Sequence, residues 1–317
     1  MERIVSLYTD PIEFYAKQGP MSDPGNHPSW FSDLPDEVPA LCKVVQGLLI
    51  HEGWARAYGV SIPQNRNLES SIRMVSKKMD RILELNNRPL IEPRLAEQRL
   101  FSICRDFALL LTTMLRQKGI PARLRFGFAT YFFPPNVIGF GDHVITEYWH
   151  AQEQKWVLVD AQLDELQCKA VHISFDPCDV PRDVYLTADV AWQRCRNQEA
   201  DPKNFGFLPD YTGLWYVKGH LARDIAALNK IEMLCWDYWG IFERRDIDMP
   251  DNDLKLLDQA SKLSLAGNEA FGELRSLYLQ DIRLRVPPVV KSWYVEDEEK
   301  YRLEKIFGRD LSWVKYL

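Results

Sequence analysis

At 317 residues, with 46% hydrophobic, 12% aromatic and 26% charged side chains, the chain has the composition of a folded protein, which excludes a collagen-like repeat or disorder throughout. Its 39 basic and 45 acidic side chains leave a formal charge of -6 with no Lys/Arg block, which argues against nucleic acid as a partner. No apolar run approaches the roughly 20 residues a membrane helix needs, and the first residues lack a basic segment followed by an apolar one, so no membrane association and a cytoplasmic location are expected.

Residues 1–33, with Pro20, Pro24 and Pro28 in close succession, read as an irregular arm over a surface. Val38, Leu41, Val44, Val45, Leu48, Leu49 and Trp54 recur at helical spacing and predict a helix over about 36–58. A second helix is predicted over 68–85, stopped by Asn86, Asn87 and Pro89. Residues 104–118 predict a third, with Phe107, Leu110, Leu111, Met114 and Leu115 on one side and Gly119 and Pro121 at its end. Runs dense in aromatic and β-branched residues then predict strands over 122–133, 144–149 and 156–159, the last two joined as a hairpin. Helices are expected again over 184–197, 220–239, 253–265, 269–285 and about 296–306, with few strand signals. A helix followed by antiparallel strands indicates an α+β class, divided here into an arm and helical N-terminal layer (1–88), a core (89–180) and a helical C-terminal subdomain (181–317).

The six cysteines, Cys42, Cys104, Cys168, Cys178, Cys195 and Cys235, are scattered and form no CxxC pair, so reduced thiols are expected rather than disulfides or a structural zinc site. His172 with Cys168 and Cys178 fits no common zinc spacing. His51 reads as a half-buried packing residue, and Cys195 and Cys235, beside Trp192 and Trp236, as core. Among these thiols, Cys104 stands apart. At a helix start, unsatisfied N–H groups and the positive end of the helix dipole favour thiolate over thiol. His143, at the head of DHVITEYW, is a candidate base, and Asp160, at the tail of WVLVD, a candidate group to orient it. A near-symmetric hairpin would set Ile145 opposite Asp160 and make Asp160 a diagonal neighbour of His143.

CRDFALLLTTMLRQKGIPARLRFGF, HVITEYW and WVLVDAQ together resemble the three motifs of the transglutaminase-like superfamily, over roughly residues 90–165. The resemblance implies a papain-like core, in which a cysteine-bearing helix packs on an antiparallel sheet, with helical additions on both sides. It implies Cys104 as nucleophile, His143 as general base and acid and Asp160 as orienter, and Glu147 matches a common family position. Ala161 stands where the family usually has proline, which leaves the exit path after Asp160 less defined. Two glutamines compete as the side-chain donor of an oxyanion hole, beside the Cys104 N–H: Gln98, six residues before the cysteine as in papain-like enzymes, and Gln162, two residues past Asp160.

Such a site performs acyl transfer at an amide, peptide or thioester carbonyl through a thioester acyl-enzyme, with no metal or organic cofactor. Water as acceptor gives a peptidase or amidase, the reading placed first. An amine as acceptor gives transglutaminase-type amide formation, and a fold without a working triad would be a binding scaffold. The substrate and the oligomeric state are open.

Overall fold

A computed structural model describes residues 10–134, 137–207, 210–243, 249–293 and 301–305. In chain order the elements begin with α1 (Pro11–Tyr15), α2 (Val38–Leu48), β1 (Leu49–His51), α3 (Val75–Leu85), β2 (Leu100–Ser102) and α4 (Cys104–Gln117). They continue with β3 (Ala122–Ala129), β4 (Gly141–His150), β5 (Lys155–Val159), α5 (Glu165–Ala170), β6 (Tyr185–Thr187), α6 (Ala188–Arg196) and α7 (Leu214–Leu228). The last are β7 (Asp237–Tyr238), α8 (Asp251–Leu265), α9 (Phe271–Gln280), β8 (Val289–Trp293) and β9 (Tyr301–Lys305). The four-stranded sheet runs in the order β5-β4-β3-β6, and this mixture of helix and antiparallel sheet is the expected α+β class. Among the described residues no helix is long and apolar enough to cross a membrane.

The chain divides into two compact units, one of residues 15–124 and 144–182, the other of 1–14, 125–143 and 183–317. In the first, α4 is the central element. Phe107, Leu110, Leu111, Met114 and Leu115 are all buried, and the helix ends before Gly119, whose φ of 72° is the left-handed conformation that terminates helices at little steric cost. Thr146 on β4 donates its hydroxyl to the Ala108 carbonyl at 2.9 Å, tying α4 to the strand beside it. The β4–β5 hairpin pairs Thr146 with Val159 and His150 with Lys155. One further step of that register sets Ile145 opposite Asp160, the symmetric arrangement expected from the loop length.

The arm is less irregular than its prolines suggest, because it carries α1 and buries Phe14, Tyr15, Met21 and Phe31; residues 1–9 lie outside the described residues. The helix expected over 36–58 stops at Leu48. Leu49–His51 instead pairs in parallel with Leu100–Ser102, and a 3-10 helix follows, opened by His51, whose Nδ1 accepts the Gly53 N–H. A short buried apolar run suits strand and helix alike, and the partner strand decides. The second predicted helix begins at Val75 rather than 68, since Glu69 is held by Arg66 and by the Phe101 N–H at the start of β2.

In the second unit, β6 pairs antiparallel with the end of β3, where helix was expected from residue 184. Tyr185, Leu186 and Thr187 are strand formers once an edge is offered. Helix α7 begins at Leu214, ahead of the span expected over 220–239, shares residues 220–228 with it and ends at Leu228, before Asn229, whose side-chain amide donates to the Ile225 carbonyl. Beyond it β7, β8 and β9 form a three-stranded sheet. Tyr301–Lys305 is therefore strand where a helix over about 296–306 was expected, while 294–300 lies outside the described residues. Arg125 anchors the interior by pairing with Asp189 at 2.8 Å and Asp224 at 2.9 Å, all three buried.

Candidate active site

Cys104 is the first residue of α4 and is 9% exposed. The turn that presents it is built on charge. Asp106, three residues into the turn, accepts the Ile103 N–H at 3.2 Å and so caps the chain entering the helix. Its other oxygen receives Arg105 at 3.1 Å, and Lys78 from α3 lies 3.0 Å away. Arg105 also donates to the Arg73 carbonyl. Lys78, Arg105 and Asp106 are wholly buried, and desolvation brings the Lys78 ammonium down to about 8 despite the carboxylate beside it.

His143 stands on β4, 2% exposed, at the end of its unit, since the division of the chain falls between His143 and Val144. Aromatic rings surround its imidazole: Phe132 edge-on at 4.9 Å and Tyr131 at 6.0 Å. The Tyr185 hydroxyl donates to both the His143 carbonyl, at 3.0 Å, and the Arg125 carbonyl, at 2.8 Å, pinning β4 and β3 through their backbones. Beside it, the Asp142 carboxyl is pushed up by burial, against the opposing hydrogen bond from Tyr216.

Asp160 follows β5, 2% exposed. Its N–H donates to the Pro177 carbonyl at 2.8 Å, and its Oδ1 accepts the Gln162 N–H at 3.1 Å. Gln162 is thus brought to Asp160 through its backbone, while its side-chain amide donates to Gln167 Oε1 at 3.0 Å. Gln98 sits in a 3-10 turn and its amide oxygen accepts from Asn86 Nδ2 at 2.9 Å. Glu147, 1% exposed, receives Arg123 at 2.7 Å and Arg182 at 2.6 Å, and the Arg123 guanidinium lies 4.0 Å over the Trp156 ring. Among the described residues no group of three or more His, Cys, Asp or Glu side chains could hold a metal ion.

Residues 74–161 match the family model of the transglutaminase-like superfamily. This segment is similar to that superfamily. The match covers α3, β2, α4 and the β-strands through Asp160, and includes Cys104, His143 and Asp160. Neither the curated proteins nor the solved structures yielded a match.

Within the transglutaminase-like segment, reading the sequence did not single out Lys78 or Asp106. The one available signal was an amphipathic α3 with a lysine on its apolar side, Val75, Lys78, Met79 and Ile82 being its buried positions. His220 on α7 was missed as well. It is fully buried 3.9 Å from Asp142 and packed on Phe128, and burial together with Arg223 drives its pKa well below the usual histidine range.

Proposed function

We propose that Cys104, His143 and Asp160 carry cysteine-dependent acyl transfer at an amide, peptide or thioester carbonyl. The Cys104 thiolate attacks the carbonyl carbon, and His143, having taken the thiol proton, returns it to the leaving group. Asp160 holds the imidazole in the tautomer that can do both. Water then resolves the thioester, which makes the reaction hydrolytic, of the peptidase or amidase type. The Cys104 N–H and the amide of Gln98 or Gln162 stabilise the tetrahedral oxyanion.

The observation that carries this reading is the position of Cys104 as the first residue of α4 inside the segment that matches the transglutaminase-like superfamily. A helix start supplies unpaired N–H groups and a favourable dipole to a thiolate.

The test is mass spectrometry of the full chain after incubation with a library of peptides, amides and thioesters, with and without added amines. An acyl adduct on Cys104 that decays in water is expected. Adducts that persist until an amine is added would make the enzyme a transferase, and no adduct with any carbonyl would refute acyl transfer.

A further inference from the structure

A chain of polar side chains runs from the turn after Asp160 to the segment that leads into Cys104, all of it within one compact unit. At the near end the Gln162 N–H donates to Asp160 Oδ1 at 3.1 Å, so the direction of the carboxylate follows the conformation of residues 160–162. The side-chain amide of Gln162 donates to Gln167 Oε1 at 3.0 Å, and Gln167 Nε2 donates to the Tyr58 hydroxyl oxygen at 3.1 Å. That hydroxyl donates to Asp164 Oδ2 at 2.6 Å, while Asp164 Oδ1 accepts the Gln167 N–H at 3.0 Å and caps α5. Gln162 and Gln167 are buried and Tyr58 is half-buried.

The polarity of this chain is set from one end. An ionised carboxylate only accepts, so Tyr58 gives its proton to Asp164 and accepts from Gln167, whose amide oxygen is thereby turned to Gln162. Tyr58 is the link that orders both glutamines, and a ring without the hydroxyl breaks the chain on both sides. The same tyrosine is tied to the approach to Cys104. It ends the 3-10 helix Glu52–Tyr58, and its ring packs against the cluster of Ile50, Ala55 and Phe101. Ile50 pairs with Phe101 and His51 with Ser102, two residues before the cysteine. Gln46 on α2 holds the backbone of the same turn, donating to the carbonyls of Ala161 at 3.1 Å and Leu163 at 3.3 Å.

We propose that Tyr58 and Asp164 are positioning residues of the acyl-transfer site, acting through Gln167 and Gln162 to hold the Asp160 carboxylate in the direction that orients His143. This rests on the triad reading above. Without the Tyr58 hydroxyl the turn gains freedom, the carboxylate spends less time in that direction, and the imidazolium that sustains the Cys104 thiolate loses support.

The experiment follows iodoacetamide alkylation of Cys104 by peptide mapping from about pH 5 to 9, with urea unfolding alongside. It compares the full chain with Tyr58→Phe, Gln167→Met, Asp160→Asn and each of the first two combined with Asp160→Asn. Tyr58→Phe and Gln167→Met should each move the acid limb of the profile to higher pH and slow alkylation near about pH 6 by about threefold to tenfold, the worth of one hydrogen bond. Neither should add to the effect of Asp160→Asn. A network that only stabilises the fold would lower the unfolding midpoint and leave the limb in place. That result, or a shift of undiminished size in the Asp160→Asn background, would overturn the proposal while the triad stands. A profile for Asp160→Asn identical to that of the unaltered chain would remove the triad reading, and this proposal with it.

Discussion

Lys78 Nζ lies 3.0 Å from the Asp106 carboxylate, and neither side chain touches solvent. The pair sits beneath the first turn of α4, so the helix start that presents Cys104 depends on a charge cluster as well as on apolar packing. Asp106 caps the Ile103 N–H and faces both Lys78 and Arg105.

Asp106→Ala should therefore destabilise the protein by about 3–5 kcal/mol, because the buried Lys78 and Arg105 lose the carboxylate they share. Lys78→Met in the same background should recover a large part of the loss, since it removes a buried ammonium that has lost this carboxylate. Denaturant unfolding of the two single variants and the double variant measures the coupling.

Asp224 sets a pH dependence. Burial raises its carboxyl to about 6, although Arg125 opposes the shift. Between the ordinary value of 3.8 and about 6, the folded form keeps a proton that the unfolded chain has released. Stability from this group therefore falls as pH rises through that window and is level above it. Asp224→Asn lacks this contribution, so the stability gap between wild type and variant should shift in favour of wild type as pH is lowered from 7 toward 4.5. Paired urea melts at the two pH values check it.

Gly127 marks a close approach within β3. A Cβ there would stand 2.3 Å from the Leu186 carbonyl oxygen on β6 and 2.9 Å from the Tyr185 hydroxyl. Gly127→Ala should cost about 1–3 kcal/mol as an overpacking change. Because Tyr185 also bonds the His143 carbonyl, amide exchange of the neighbouring strand residues should accelerate in the variant.

Arg123 combines a 2.7 Å ion pair to Glu147 with stacking on Trp156. Arg123→Lys keeps the charge but loses the planar fork and the stacked face, and should lower stability by about 1–2 kcal/mol. Thermal melting of the variant is a direct measure.

Parts of this fold were legible in the sequence where one segment carries its own determinants. Helix α4 has an apolar stripe and the Gly119 stop, and the β4–β5 hairpin has a short loop that fixes its register, so both could be placed before any partner was known. Leu49–His51, Tyr185–Thr187 and Tyr301–Lys305 could not, because each is a three- to five-residue stretch whose conformation comes from the strand it pairs with. Of the candidate site, the sequence yields the residue types and the elements that carry them. The buried Lys78–Arg105–Asp106 cluster escaped, since lysine and aspartate default to solvent.

The central claim is that Cys104 is a thiol activated by His143. Alkylation by iodoacetamide, followed by peptide mapping across about pH 5 to 9, tests it most directly, because rate follows thiolate fraction. Cys104 should react well ahead of the other five cysteines near neutral pH, and His143→Ala should abolish that lead while leaving the fold intact by circular dichroism. Slow alkylation of Cys104, indistinguishable from its neighbours and unchanged by His143→Ala, would contradict it.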